Sequence, residues 1–169
     1  MSIFEDLQPN AAAPGIVPDS LPGADADAVM TTPEQFQAWL TGVEGRRLEL
    51  KTAAGGFHFE ELVKYCVALG NEGGGTILLG VSDTRPRRVL GTPAFAEPGR
   101  TEAGPFQRLR QHIPVEEYSH QGKRVLIVHV PSRLPGTAWQ YKGSFWMRAG
   151  DALVPMTDEQ LRRIHQRPA

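Results

Sequence analysis

Residues 44–83 contain a set of three carboxylates, a lysine and a run of glycines whose types and spacing suit chemistry on a phosphate. The carboxylates are Glu44, Glu49 and Asp83, and Lys51 follows Glu49 at the two-residue spacing that places side chains on one face of a strand. Hard cations such as Mg²⁺ and Mn²⁺ choose oxygen ligands of this kind. A bound cation polarises a phosphate and activates water, and Lys51 would stabilise the developing negative charge. The stretch therefore predicts a metal-assisted phosphate site.

The elements that must position these residues are two predicted strands. Residues 48–51 alternate at period two, with the leucines inward, and residues 76–81 are almost wholly apolar, which is typical of a strand covered on both faces. If the two strands are neighbours, Glu49 and Asp83 converge near the strand ends and Glu44 approaches from the preceding turn. The same spacing also fits a solvated strand face followed by a turn residue, so convergence is a hypothesis.

The glycine run at residues 73–75 resembles a phosphate-binding loop at first sight. No Gly-Lys-Ser/Thr follows it, and the glycines precede a strand rather than the helix N-terminus that would receive a phosphate. We predict instead a tight helix-to-strand connection in which Gly70 or Asn71 ends the helix and the glycines allow close packing. The motif therefore argues against an ATPase.

The remaining pattern predicts an α/β (α+β) fold, a single domain with a mixed β-sheet flanked by helices. Helices are predicted from the Thr32 cap to Gly42 and at residues 57–69, 106–113 and 158–165, the last after a cap at Thr157. Residues 84–104 are predicted to be a loop. Further strands are predicted at residues 115–118, 124–130 and 144–148, with a hairpin turn at Gln121 and Gly122.

Length and composition predict one domain behind an acidic tail. The 169 residues suffice for a single core, and residues 1–30, rich in Pro and Ala, are predicted to be disordered, with the folded domain at 31–169. Five of the 19 acidic residues and no Lys or Arg lie in the tail, so the rest of the chain has a balance of +4. That distribution fits either a polyanion binder or an ordinary domain with a solubilising tail. Residues 2–7 are either a docking motif for a protein partner or, as we favour, part of a plain tail.

No apolar run approaches the roughly 20 residues that span a bilayer, and no basic segment followed by an apolar stretch opens the chain. We therefore expect a cytoplasmic protein with no membrane association. The single cysteine, Cys66, permits neither an internal disulfide nor a multi-cysteine zinc site, so we expect no zinc.

Several motifs together resemble the Schlafen AlbA-like domain. They are Glu44-x-x-x-Leu-Glu-Leu-Lys51, a helix ending in Ala68-Leu-Gly-Asn71, the glycine run continuing as Thr-Ile-Leu-Leu-Gly-Val-Ser-Asp83, and Gly143-Ser-Phe-Trp-Met-Arg148-Ala-Gly150 before the Thr157 cap. The resemblance covers roughly residues 40–165. It implies a nucleic-acid-associated domain, since bacterial members are called DNA-binding, ATP-binding or transcriptional-regulator proteins.

The resemblance also implies a catalytic activity. Some animal Schlafens cleave transfer and ribosomal RNA with three carboxylates, and the matching positions here are Glu44, Glu49 and Asp83, with Lys51 at the family lysine. It thus implies a metal-dependent endoribonuclease holding Mg²⁺ or Mn²⁺ on those carboxylates, with RNA favoured over DNA as the partner. The family's Cys/His zinc site has no counterpart. Animal Schlafens join two such lobes into a cleft, so a single lobe implies a homodimer.

Six arginines are candidates for phosphate contacts: Arg46, Arg47, Arg85, Arg87, Arg88 and Arg148. Three of them follow Asp83 closely, which suits delivery of a nucleic-acid backbone to the carboxylates, although a solvated loop explains them equally well. Trp139, Tyr141 and Trp146 are either base-stacking residues or, as we favour for at least two of them, core or rim residues. The alternative function is a non-catalytic DNA- or RNA-binding regulatory module, and a weaker one is ATP binding.

Overall fold

The computed structural model describes residues 30–42 and 47–166 of the chain. Helices and strands alternate in its first part, and strands gather in its second. In chain order the elements are α1 (Pro33–Thr41), β1 (Leu48–Lys51), α2 (Phe59–Asn71), β2 (Gly75–Leu79), α3 (Pro98–Leu109), β3 (Val115–His120), β4 (Lys123–Val130), β5 (Trp146–Ala149), β6 (Ala152–Pro155) and α4 (Asp158–Gln166). The prediction of a mixed α/β domain is confirmed. Residues 1–29 of the predicted tail lie outside the described residues.

The main sheet has four strands in the order β1-β2-β4-β3. β1 pairs with β2 in parallel, whereas β4 pairs antiparallel with both β2 and β3. A separate two-stranded sheet is formed by β5 and β6. Because β1 and β2 are parallel neighbours, their carboxyl ends meet at one edge of the sheet, and β4 begins at that same edge.

The sheet separates two apolar clusters. On one face α2 and the β5–β6 hairpin pack over side chains that include Ile77 and Leu79, and on the other face α1 packs through Phe36 over Leu50 and Leu78. Ile77, Leu78 and Leu79 of β2 thus alternate between the two clusters and are fully buried. This double covering explains why the strand reads as continuously apolar.

Local sequence signals fixed several boundaries correctly. The Thr32 hydroxyl accepts from the backbone N–H of Gln35 and caps α1, which is followed by Gly42. Gln121 and Gly122 both have positive φ, 49° and 75°, as a two-residue hairpin turn between right-twisted strands requires. The Thr157 hydroxyl accepts from the backbone N–H of Gln160, and the Gln160 side-chain oxygen accepts from the backbone N–H of Thr157. This reciprocal pair is a capping box at the start of α4.

The glycine run is a helix-to-strand connection, as predicted. α2 ends at Asn71, and Gly73 and Gly74 have φ values of 109° and 84°. A Cβ on Gly74 would lie 2.8 Å from the Val130 oxygen, and one on Gly75 would lie 2.5 Å from the Arg47 oxygen. The connection therefore needs glycine for both its conformation and its close packing.

Two elements differ from the sequence prediction. α3 covers Pro98–Leu109, so most of it lies in the segment predicted to be a loop, and the predicted helix at 106–113 is wrong in its bounds. Two prolines and two glycines within this helix suppressed the helical signal, and tertiary packing overrides their low propensity. The strand β6 was not predicted, because its four residues have no polar alternation.

Candidate nucleic-acid interface

β1 presents Glu49 and Lys51 to the face of the sheet that α2 covers. They pair in register with Ile77 and Leu79, whose side chains lie in the α2 cluster, while the leucines of β1 point to the opposite cluster as predicted. Glu49 is only 7% exposed. The shared face of Glu49 and Lys51 is thus buried under the α2 side rather than solvated.

Lys51 closes an ion pair beside an aromatic ring. Its Nζ lies 2.9 Å from Oε1 of Glu49 and 4.3 Å from the centroid of the Tyr65 ring. Burial acts to lower the pKa of Lys51, but hydrogen bonds with Tyr65 and Glu49 outweigh it, so the pKa lies above its ordinary value. The ammonium group is therefore charged at neutral pH.

Arg148, on β5, bridges two carboxylates from different elements. Its Nη1 donates to Oε2 of Glu49 at 2.8 Å and to the Leu48 carbonyl at 3.1 Å. Its Nη2 and Nε donate to Oε2 of Glu72 at 2.8 and 3.0 Å, and its backbone N–H donates to Oε1 of Glu72 at 2.7 Å. Burial opposes the charge, yet the bonds to Glu72 and Glu49 raise the pKa of Arg148. Arg148 thus ties β5 to β1 and to the end of α2, and its predicted contact with phosphate stays a prediction.

Both oxygens of Glu49 consequently face a cationic partner. Two positive charges within 3 Å disfavour a third cation at the same carboxylate. Among the described residues no group of three or more His, Cys, Asp and Glu side chains is placed to hold a metal ion. Glu44 lies outside the described residues, so the three-carboxylate site remains a prediction.

Asp83 opens an exposed loop at the carboxyl ends of β1 and β2. The chain leaves β2 with the N–H groups of Gly80 and Val81 donating to the Lys51 carbonyl, at 2.8 and 3.3 Å, so β2 and β1 end side by side. Residues 83–88, hereafter the basic loop, follow directly. Asp83 lies six residues beyond Ile77, the register partner of Glu49, past the end of the sheet.

Hydrogen bonds hold the basic loop in shape. The Ser82 hydroxyl accepts from the N–H of Arg88 at 2.8 Å, and the Arg88 carbonyl accepts from the Ser82 N–H at 2.9 Å, which closes the loop at its base. Arg85 donates to the Gly42 carbonyl, and Arg87 donates to the carbonyls of Trp39 and Gly42 at the end of α1. These two guanidinium groups satisfy backbone acceptors that a helix leaves open at its C-terminus.

The basic loop thus combines anchored and exposed cations. Arg85 and Arg88 are exposed, and Arg87 is half-buried. Lys123, the exposed first residue of β4, donates to the Val89 carbonyl at 3.1 Å and adds another positive charge at this edge; the sequence analysis did not single it out. Arg47 is exposed at the start of β1, the other end of the strand, and Arg46 lies outside the described residues.

A family model described as Schlafen, AlbA_2 matches residues 44–157, about two thirds of the chain. The chain belongs to the Schlafen AlbA_2 family. This family is related to nucleic acids, in agreement with the resemblance of the sequence motifs. No curated protein matches the chain.

Two solved structures are similar to this Schlafen AlbA_2 chain, and the first of them shares its fold. The DIP2311 protein from Corynebacterium diphtheriae is similar over 73% of this chain at 18% identity with a TM-score of 0.55. The chain spans 29% of the length of DIP2311. The N-terminal domain of an ATP-dependent DNA helicase RecG-related protein from Nitrosomonas europaea has 20% identity and a TM-score of 0.44, over 70% of this chain and 86% of that domain. No helix in the described part of the chain is long and apolar enough to cross a membrane.

Asn71, at the end of α2, organises the β5 side of this Schlafen AlbA_2 domain. Its Nδ2 donates to the carbonyls of Trp139 and Trp146, both at 3.0 Å, and its Oδ1 accepts from the Trp139 N–H at 2.7 Å. Asn71 is 4% exposed, so each of these bonds satisfies a buried polar group. From the sequence Asn71 was predicted only to end a helix, and its place just before the glycine run was the available signal.

The aromatic candidates divide as expected. Trp139 and Tyr141 are buried in the α2 cluster, and Trp146 is half-buried with the Lys64 Nζ 4.7 Å from its ring centroid. At least two of the three are therefore core residues.

Glu72, which accepts from the backbone and guanidinium of Arg148, was not predicted to be part of the site, because nothing in the spacing connects residues 76 positions apart.

Proposed function

We propose that this domain binds nucleic acid, with RNA favoured over DNA, through the basic loop and Lys123. The observation that carries the proposal is the position of the loop. Exposed Arg85 and Arg88 lie at the carboxyl ends of two parallel strands, the edge where ligands bind in open α/β sheets. The preference for RNA is supported by the sequence resemblance.

Anchoring of the loop supports phosphate binding. Since Arg85 and Arg87 are tied to α1 and Arg88 is fixed by Ser82, the backbone of the loop loses little freedom when it meets a ligand. Asp83 is its sole acid, so the loop keeps a net positive charge. Phosphate neutralisation by such residues supplies most of the sequence-independent affinity.

The ion pairs around Glu49 favour the binding function over cleavage. Glu49 neutralises Lys51 and shares Arg148 with Glu72, so it works as a link between β1, α2 and β5. In this arrangement the carboxylate has no need of a metal ion for neutralisation.

A metal-dependent endoribonuclease is the second candidate. It is favoured by one observation: Asp83 is exposed at the entrance to the basic loop, next to the strand whose last residue is the charged Lys51. Glu44, Glu49 and Asp83 would hold Mg²⁺ or Mn²⁺, which would activate water, and Lys51 would stabilise the phosphate charge. A strand delivered by the loop would reach Asp83 first.

Binding is tested with Arg88→Ala/Lys123→Ala against the charge-matched control Arg162→Ala/Arg163→Ala on the exposed face of α4. Fluorescence anisotropy with labelled single-stranded RNA, and with DNA of the same sequence, is followed from about 50 to about 200 mM salt. The loop variant should bind at least about tenfold more weakly, and its log–log salt slope should shrink by about 1.4, since each single-strand phosphate contact contributes about 0.7. Equal affinity of the two variants would contradict this interface.

Cleavage is tested on labelled transfer RNA with Mn²⁺, Mg²⁺ or EDTA. Wild type is compared with Glu44→Gln, Asp83→Asn and Glu49→Gln, and urea unfolding checks that each variant folds. The endoribonuclease requires cutting that depends on metal and is lost in all three variants. Absence of cutting by wild type, with binding intact, would leave the domain a binding module.

We also propose that two copies associate, because a single lobe offers one basic edge whereas a cleft needs two. Light scattering with and without RNA measures the mass. A dimer in either condition supports the proposal, and a monomer in both contradicts it.

A further inference from the structure

A groove of about 560 Å³ lies between the start of α2, residues 95–97 and α3. Two aromatic side chains form one wall, since the Phe59 and Phe95 rings meet edge to face with centroids 6.1 Å apart. Its volume falls within the roughly 300–1,000 Å³ typical of small-ligand sites. The groove has no part in the interface described above.

The groove exists because α3 has a glycine where it meets α2. A Cβ on Gly104 would lie 2.3 Å from Cζ of Phe59, so any side chain there would push the helix and the ring apart. Gly104 is costly inside a helix, by about 1 kcal/mol relative to alanine. The close approach of Phe59 to α3 is what the glycine makes possible.

The lining of the groove is both aromatic and cationic. The Arg108 guanidinium carbon lies 4.6 Å from the centroid of Phe59. Arg100 is exposed and forms no ion pair within the part of the chain that the structure describes. Glu97 is the one acid among the lining residues, so the balance is positive. Gln107 adds amide donors and an acceptor. A flat ring carrying a negative charge fits this combination.

The segment between β2 and α3 contains the basic loop and also residues 95–97 of the groove wall. Lys123 holds the Val89 carbonyl just after the loop, and its neighbour Arg124 donates to the carbonyls of Ala94 and Phe95, both at 2.8 Å. Thr92 adds a bond to the Ala53 carbonyl at 2.7 Å. The start of β4 therefore fixes the groove wall and the loop on one end of the sheet.

We propose that this groove receives one unstacked nucleotide of the strand that the basic loop holds, its base against Phe95 and Phe59 and its phosphate on Arg100. The inference rests on the proposed nucleic-acid binding. Base stacking on an aromatic side chain contributes about 1–3 kcal/mol per base and tolerates any sequence. The loop thus supplies electrostatic attraction and the groove supplies stacking.

The test compares Phe95→Leu and Arg100→Ala with two matched controls that lie outside the groove lining, Phe106→Leu on α3 and Arg162→Ala on α4. Affinity for single-stranded RNA is measured by anisotropy, and urea unfolding confirms that each variant folds. Phe95→Leu should weaken binding at least about fivefold, as loss of one stacked base predicts. Arg100→Ala should weaken it and lower the salt slope by about 0.7. Both controls should bind like wild type.

Three results separate the possible failures. If wild type does not bind the strand, the proposed function and this inference are both wrong. If wild type binds and Arg88→Ala/Lys123→Ala weakens binding, while Phe95→Leu and Arg100→Ala match their controls, only the groove inference is wrong. If millimolar AMP raises the melting temperature of wild type but the groove variants bind RNA normally, the groove takes a free nucleotide and the inference is again wrong.

Discussion

At the scale of single residues, Arg148 joins β5 to β1 and to the end of α2 through its guanidinium group. Its guanidinium donates to Glu49, to Glu72 and to the Leu48 carbonyl, three acceptors that lie on β1 and just after α2. A planar fork with five donors satisfies such a set, whereas an ammonium group cannot reach all of it. Arginine is therefore the residue type that this set of acceptors requires, and contact of Arg148 with phosphate stays a prediction.

Arg148→Lys should destabilise the domain by about 1–3 kcal/mol, because at least one buried carboxylate oxygen loses its hydrogen bond. Urea unfolding measures the change. Arg163→Lys, in the exposed pair with Glu159 on α4, is the matched control and should change stability by less than about 0.5 kcal/mol. Equal effects in the two variants would mean that the Arg148 network contributes no more than a surface ion pair.

At the scale of elements, glycines decide how closely α2 and α3 pack against their neighbours. Gly70 lies inside α2, where a Cβ would be 2.3 Å from the Trp139 ring, whereas Gly99 in α3 has nothing within 4 Å of that position. Helix propensity treats both glycines alike. Only the packing of the tryptophan separates them.

Substitution by alanine should therefore act in opposite directions at the two positions. Gly99→Ala should stabilise the domain by about 0.5–1 kcal/mol through the lower entropy of the unfolded chain. Gly70→Ala should destabilise it by about 1–3 kcal/mol, because Trp139 must shift. Thermal and urea unfolding of both variants check the signs, and stabilisation by Gly70→Ala would show that Trp139 does not pack on α2 as described.

Element boundaries were predicted where local chemistry specifies them. The Thr32 cap, the Gln121-Gly122 turn and the Thr157 capping box carry their own hydrogen bonds or backbone requirements, so sequence located α1, the β3–β4 hairpin and α4. The bounds of α3 were predicted wrongly because Gly104 and Pro105 are unfavourable in a helix. The helix packs against Phe59, which is distant in sequence, so no local pattern reports this contact.

At the scale of the whole molecule, stability is coupled to the charge of Lys51. Its pKa is raised above the ordinary 10.5, so the folded state holds this proton more tightly than the unfolded chain does. The resulting stabilisation is complete below the unfolded-state pKa and is lost as pH rises through the folded-state value. The window of loss therefore begins near 10.5 and extends to more alkaline pH.

Wild type should consequently lose stability more steeply than Lys51→Met as pH rises above about 10.5. Urea unfolding across a pH series measures both proteins. At neutral pH the difference between them should be constant, which serves as the internal control. Parallel curves throughout the alkaline range would mean that Lys51 titrates alike in the folded and unfolded chain.

The sequence by itself determined the family, the mixed sheet and the alternation of β1, because motifs, apolar periodicity and turn residues are local properties of the chain. Only the tertiary structure decided that Glu49 is neutralised by Lys51 and Arg148. It also decided that Arg85 and Arg87 hold the end of α1, and that Phe59 and Phe95 face a common groove. The physical reason is that these contacts join residues up to 99 positions apart. The charge of a side chain does not show whether its partner is solvent, a ligand or another part of the chain.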